Sequence, residues 1–189
     1  MLLQKLYIHR MKKIALAFLL LAVSFQSFSQ KKDFNFSSDI DSLLTVYPKG
    51  FAVYLSAFWC GPCLGKSKAI YNYFRTKEDS IPLIFVYDDH KFSEERGQQI
   101  LGDCFTKSQN LLIDTRYYTA KGLVQINPQM KAIKNIITLL KGRKLKKGNL
   151  DDLYFGQLLF FDPAKEVSLL HFEYGKKITN EQLVAFLHE

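Results

Sequence analysis

Between Phe51 and Phe58 the chain is apolar at every position except Ser56, and Pro82 to Tyr87 repeats the pattern. Short runs of this kind, with β-branched and aromatic members, suit strands buried on both faces of a largely parallel sheet. Two further runs, Leu158 to Phe161 and Val167 to Phe172, flank Asp162-Pro163-Ala164-Lys165. The turn chemistry of those four residues predicts a hairpin.

Elsewhere the apolar period is that of a helix. Ser37-Ser38-Asp39 offers a start ahead of Ile40, Leu43, Leu44 and Tyr47, and Pro48-Lys49-Gly50 offers a stop. Lys66 to Lys77 places Ala69, Ile70, Tyr73 and Phe74 on one face, and Ser93 to Phe105 predicts a second helix. A last helix opens on Thr179 with Gln182 three residues later, the spacing of a capping box. The order β-α-β-α followed by β-β-α describes an α/β fold, a central mixed sheet flanked by helices with a hairpin near its end. At 189 residues and 48% hydrophobic content, one core is expected.

A basic segment interrupts this layout before the hairpin. From Thr115 to Leu150 there are nine Lys and Arg and no Asp or Glu, although the whole chain carries 26 basic and 18 acidic residues. The positive charge is therefore local. Asn127-Pro128 supplies an N-cap and first turn, and Ile126, Met130, Ile133, Ile137 and Leu140 follow at helical spacing. We expect an amphipathic helix, then a loop over Gly142 to Gly148, within an insertion of about 115–150. Its lysines form either a solvated face or a dock for an acidic partner or an anionic membrane surface.

The N-terminus bears on compartment. Lys12-Lys13 precede the apolar run Ile14 to Phe25, and Ser27-Phe28-Ser29 supplies small residues of the kind signal peptidase cuts after. Residues 1–29 are expected to be a signal peptide, with Met11 a possible true start and residues 30–189 the exported domain. An uncleaved anchor is the alternative, but about a dozen apolar residues fall short of the roughly 20 that span a bilayer. The protein is accordingly expected in the periplasm or outside the cell, where nucleic acid is a poor partner for the basic segment.

Three cysteines in an exported chain cannot all pair internally. Cys104 shares a helical face with Ile100, Leu101 and Phe105, which predicts a buried free thiol. The other two stand in Trp59-Cys60-Gly61-Pro62-Cys63, at the end of a predicted buried strand. Cysteines at i and i+3 on the first turn of a helix can close a small ring, and the free N–H groups there favour a negative sulfur. Cys60, the outer sulfur, is the expected nucleophile, with a pKa lowered from about 8.5 toward 7 in motifs of this type. Cys63 then attacks the mixed disulfide and releases product. Pro62 suits a helix start, where its missing N–H leaves nothing unpaired.

A strand ending in WCGPC, followed by these elements, resembles the thioredoxin superfamily. The resemblance runs from about Phe34 to Glu189 with the basic segment as an insertion, and implies a thioredoxin-like fold. Gly-Pro between the cysteines accompanies reducing members, and the combination of export signal, thioredoxin-like fold and long insertion is similar to extracytoplasmic thiol reductases, including those serving cytochrome c maturation. The expected partners are protein thiols and disulfides and an extracytoplasmic electron donor, with no cofactor. The resemblance also implies substrate contact by Trp59, Gly61, Pro62, Phe155 and Gly156.

This chain departs from that family at two positions. Tyr54 stands where a buried acid serves proton transfer, so an acid-dependent relay is missing or relocated. Gly156 stands where a cis-proline faces the disulfide, and since a cis bond without proline costs about 2.5–4 kcal/mol, Phe155–Gly156 is expected to be trans. A more pliable substrate platform follows. A binding module with a structural disulfide is the competing reading. Metal needs about four ligands, and besides the pair the obvious candidates are Cys104, His90 and His171, none paired at ligand spacing. Lys66 and Lys68, just beyond the motif, either raise the thiolate fraction or form a solvated face.

Overall fold

The structure, a computed structural model, describes residues 33–76, 81–88, 94–113, 117, 128–173 and 176–188. Residues 1–29, where a signal peptide is expected, and Met11 among them, lie outside the described residues, as do His90, Ser93, Ile126 and Asn127.

The strands are β1 (Asp33–Phe34), β2 (Phe51–Ala57), β3 (Leu83–Asp88), β4 (Gln109–Ile113), β5 (Leu145–Lys147), β6 (Gln157–Phe161) and β7 (Val167–Leu170). The helices are α1 (Asp39–Val46), α2 (Gly61–Arg75), α3 (Glu94–Leu101), α4 (Asp103–Thr106), α5 (Pro128–Leu140) and α6 (Asn180–His188). One mixed sheet takes the order β1-β4-β3-β2-β6-β7-β5. Strand β2 pairs parallel with β3 and antiparallel with β6, in register Tyr54↔Phe85 and Tyr54↔Leu158. All seven residues of β2 are buried, as its apolar run demands.

Successive side chains of a strand face opposite ways. Tyr54 of β2 and Phe85 and Tyr87 of β3 belong to a core cluster with Ile70 and Phe74 of α2, Phe105 of α4 and Leu183 and Phe186 of α6. Phe51, a neighbour on the other face, packs against Tyr47 and stacks on Phe161 at 5.1 Å. The hairpin β6–β7 is present, with Lys165 donating its N–H to the Asp162 carbonyl at 2.9 Å. The capping box also forms, since the Gln182 N–H donates to Thr179 Oγ1 and the Thr179 N–H to Gln182 Oε1.

Several expectations are corrected. The helix foreseen over 93–105 divides at Gly102, whose φ of +56° lies in a region open to glycine and breaks the ladder between α3 and α4. Ala69 is exposed although Ile70, Tyr73 and Phe74 are buried. On α5 the buried stripe is Ala132, Ile133, Ile136 and Leu140, with Met130 and Ile137 only half-buried. The helix is thus rotated toward its smallest residue. The Ser38 side chain does not cap α1; the Asn35 N–H donates to Asp39 Oδ2 at 2.9 Å instead. Strands β1, β4 and β5 are additional. The loop foreseen over 142–148 contains β5, which pairs parallel with β7 at the sheet's edge, where lysines discourage further strands.

The basic segment meets acids from elsewhere in the chain. Arg143 pairs with Asp41 at 3.2 Å, Lys141 with Asp151 at 2.6 Å and Lys144 with Glu166 at 2.5 Å. Exposed pairs contribute little stability, but they balance part of the local charge.

Candidate functional site

The site forms where β2 ends. Its last residues pass through Phe58 and Trp59 to Cys60, which stands at the N-cap of α2, and Pro62 occupies the first turn. Cys60 and Cys63 form a disulfide with Cα atoms 5.2 Å apart. Cys60 is half-buried, whereas Cys63 is 2% exposed. The Cys63 N–H donates to Cys60 Sγ at 3.3 Å, so a free helix-end donor is aimed at the outer sulfur. That contact and the partial positive charge of the helix start both favour a thiolate on Cys60 once the bond is open.

The wall opposite is the segment ahead of β6. Antiparallel pairing sets the start of β6 beside the end of β2, and the Gly156 N–H donates to the Leu55 carbonyl at 2.6 Å. No described peptide bond is cis, so Phe155–Gly156 is trans. Gly156 adopts φ +87°, and a Cβ built on it would lie 3.0 Å from Cys63 Sγ. Phe155 is buried and meets the Trp59 ring edge-on at 5.5 Å, while Trp59 and Tyr154 remain 47% and 43% exposed. Trp59, Phe155 and Gly156 therefore surround the pair with Pro62. Gly61 has open space where its Cβ would be.

Tyr54 supports the start of α2 from the strand below. Its hydroxyl donates to the Cys63 carbonyl at 2.9 Å, as does Ser67 Oγ–H at 3.1 Å. Burial raises the Tyr54 pKa far above that of free tyrosine. It anchors the helix start as a neutral donor.

A carboxylate reaches the motif from another strand. Asp88, at the end of β3 and 1% exposed, accepts the Trp59 indole N–H on Oδ2 at 2.6 Å. The one local signal of Asp88 is its place as the polar residue directly after the apolar run Leu83 to Tyr87. Gln157, at the start of β6 and directly before its apolar run, makes two further contacts. Its Oε1 accepts the Tyr154 N–H at 3.0 Å, and its Nε2 lies 2.7 Å from Nδ1 of exposed His171, just past β7.

The remaining candidates separate. Lys68 is solvated, but Lys66 is 8% exposed with its Nζ donating to the Glu173 carbonyl at 3.1 Å. No group of three or more His, Cys, Asp or Glu among the described residues is arranged to hold a metal ion. Cys104 is a buried free thiol on α4 that donates to the Ser67 carbonyl at 3.7 Å. Burial pushes its pKa up to about 11.

A stability prediction follows from Cys104. The unfolded thiol ionises near its ordinary value, below the folded one, so the stabilising difference is complete below about pH 9 and is lost as pH climbs through about 11. Urea titrations at pH 8 and pH 10.5 should show a loss, at most on the order of 2–3 kcal/mol, that Cys104→Ala removes. An identical loss in the variant would assign it to the tyrosines instead.

Comparisons with protein-family models, with curated proteins and with solved structures find no match for this chain.

Proposed function

We propose that this chain is a thioredoxin-like thiol-disulfide oxidoreductase of the extracytoplasmic space, reducing disulfides of exported proteins through Cys60 and Cys63. The observation that carries the reading is the asymmetry of the pair: a half-buried Cys60 at the helix N-cap and a sealed Cys63 one turn in. The cysteine that solvent reaches is the one whose anion the helix favours.

In the working direction the Cys60 thiolate attacks one sulfur of the substrate disulfide. A new S–S bond forms, the substrate's bond breaks, and its first sulfur leaves as a thiolate that takes up a proton. Cys63 loses its proton and attacks Cys60 Sγ, which closes the disulfide and releases the second substrate thiolate. Two electrons have passed to the substrate, and an extracytoplasmic dithiol donor must return two to the pair. Trp59, Phe155 and Gly156 frame the space above Cys60 in which the mixed disulfide forms, and Asp88 holds the Trp59 ring in place. Gly-Pro between the cysteines favours the reducing direction by resemblance, and the apolar run Ile14 to Phe25 supports export.

Equilibration of the protein with a glutathione redox series, scored by alkylation of Cys60, tests the proposal. A potential near about −270 mV, the thioredoxin value, is expected for a reductase. A value more oxidising than glutaredoxins would reverse the direction toward disulfide formation. A pair that stays oxidised at every poise would leave a structural clip in a binding module.

A further inference from the structure

Beside the disulfide, between α2 and the segment leading into α6, lies a groove of about 510 Å³ lined by Pro62, Gly65, Lys66, Lys176, Lys177 and Ile178. Its charged lining is wholly basic. The nearby Glu173 is engaged by Lys176 at 2.5 Å, and Lys177 makes no ion pair with a described residue.

Lys66 is the informative member. The residue is 8% exposed and its ammonium, partly buried at the groove wall, meets only neutral groups among the described residues, donating to the carbonyls of Glu173 and Phe172 at 3.1 and 3.5 Å and lying 5.5 Å from the Phe172 ring centre. A buried cation without a counter-ion is unfavourable, and an apolar side chain of that length would pack there at lower cost. Desolvation accordingly holds the Lys66 pKa below the usual lysine value. An ammonium carries three donors, so the two carbonyls leave one for an arriving group. A carboxylate arriving in the groove can accept from that donor and would bring the opposite charge.

We propose that this groove binds the acidic residues flanking the reacting cysteine of a disulfide substrate, whose carboxylates pair with Lys66 and Lys177. The inference rests on the oxidoreductase reading and names its substrate class: an exported polypeptide with Asp or Glu within a few residues of its cysteine. The reach is suitable, because Pro62 belongs to both the redox motif and the groove, and two or three extended residues span about 7–10 Å.

Two disulfide-linked reporter peptides, identical except for Asp-Glu against Asn-Gln after the cysteine, test this with the purified, reduced full chain. The acidic reporter should be reduced roughly three- to tenfold faster at low salt, with the advantage shrinking in 0.5 M salt. The ratio should fall toward one in Lys66→Met and below one in Lys177→Glu, whose exposed site leaves folding intact should the buried variant fail. Serine-for-cysteine versions of both peptides, followed by fluorescence anisotropy, report binding independently of exchange.

Equal rates and equal binding for the two charges overturn the groove and leave the oxidoreductase reading standing. A ratio unchanged in Lys177→Glu overturns it as well. If neither reporter is reduced yet the acidic serine peptide binds in a Lys177-dependent way, the groove stands and the oxidoreductase reading falls.

Discussion

Cys60→Ser is expected to lower thiol-disulfide exchange by roughly 10³-fold or more, while Cys63→Ser is expected to accumulate a covalent adduct with substrate. The first loss follows because a serine hydroxyl does not ionise near neutral pH and the thiolate is the attacking species. The second follows from burial. At 2% exposure Cys63 is sealed from other thiols, so its chemistry begins only when a substrate sulfur is already bonded to Cys60. Serine at 63 is smaller than cysteine and sits opposite Gly156, so it introduces no clash. Non-reducing electrophoresis should show a dithiothreitol-sensitive adduct with Cys63→Ser and none with Cys60→Ser. The opposite pattern would exchange the roles, and adducts with neither would end the two-cysteine mechanism.

Gly156→Ala is expected to destabilise the oxidised protein by about 1–3 kcal/mol. The backbone at φ +87° disfavours any Cβ, and this one would meet Cys63 Sγ at 3.0 Å. Relaxation is opposed on the other side by the bond from the Gly156 N–H to the Leu55 carbonyl. Gly61→Ala is the control, because nothing lies within 4 Å of its Cβ position and its φ is not positive. Urea unfolding of both variants measures the difference, expected near zero for the control. If Gly156→Ala proves as stable as wild type, glycine is not required opposite the disulfide. Within the thioredoxin-like reading, the result bears on why this position carries glycine in place of proline: the wall is brought within contact of the buried sulfur by a bare backbone.

Legibility in the sequence followed how local each cause was. The run Phe51 to Phe58 could be read as a buried strand because almost every position is apolar, and the cysteine spacing of Cys60-Gly61-Pro62-Cys63 places the pair on one helical turn without help from distant residues. Strand β4 escaped notice because Gln109 and Asn110 dilute its apolar signal; its pairing with β3 supplies what its composition lacks. Leu145–Lys147 has no strand signature, and its partner is β7, with Leu145 set beside Val167. On α5, Ile133 and Leu140 fit two apolar stripes, and burial of Ala132 and Ile136 selects one.

The site divides in the same way. Sequence by itself determined the two cysteines, their order along a helix start and the resemblance to a redox family, since these depend on residue identity and spacing within five positions. Tertiary structure alone decided that Asp88 would hold Trp59 across 29 residues and that the Lys66 ammonium would lie under carbonyls 106 and 107 residues away. It also decided that Gly156 would face Cys63. Each of these contacts is created by the register of β2 with β3 and β6 and by the packing of α2 against the sheet, and no local period encodes which distant backbone arrives beside a given side chain.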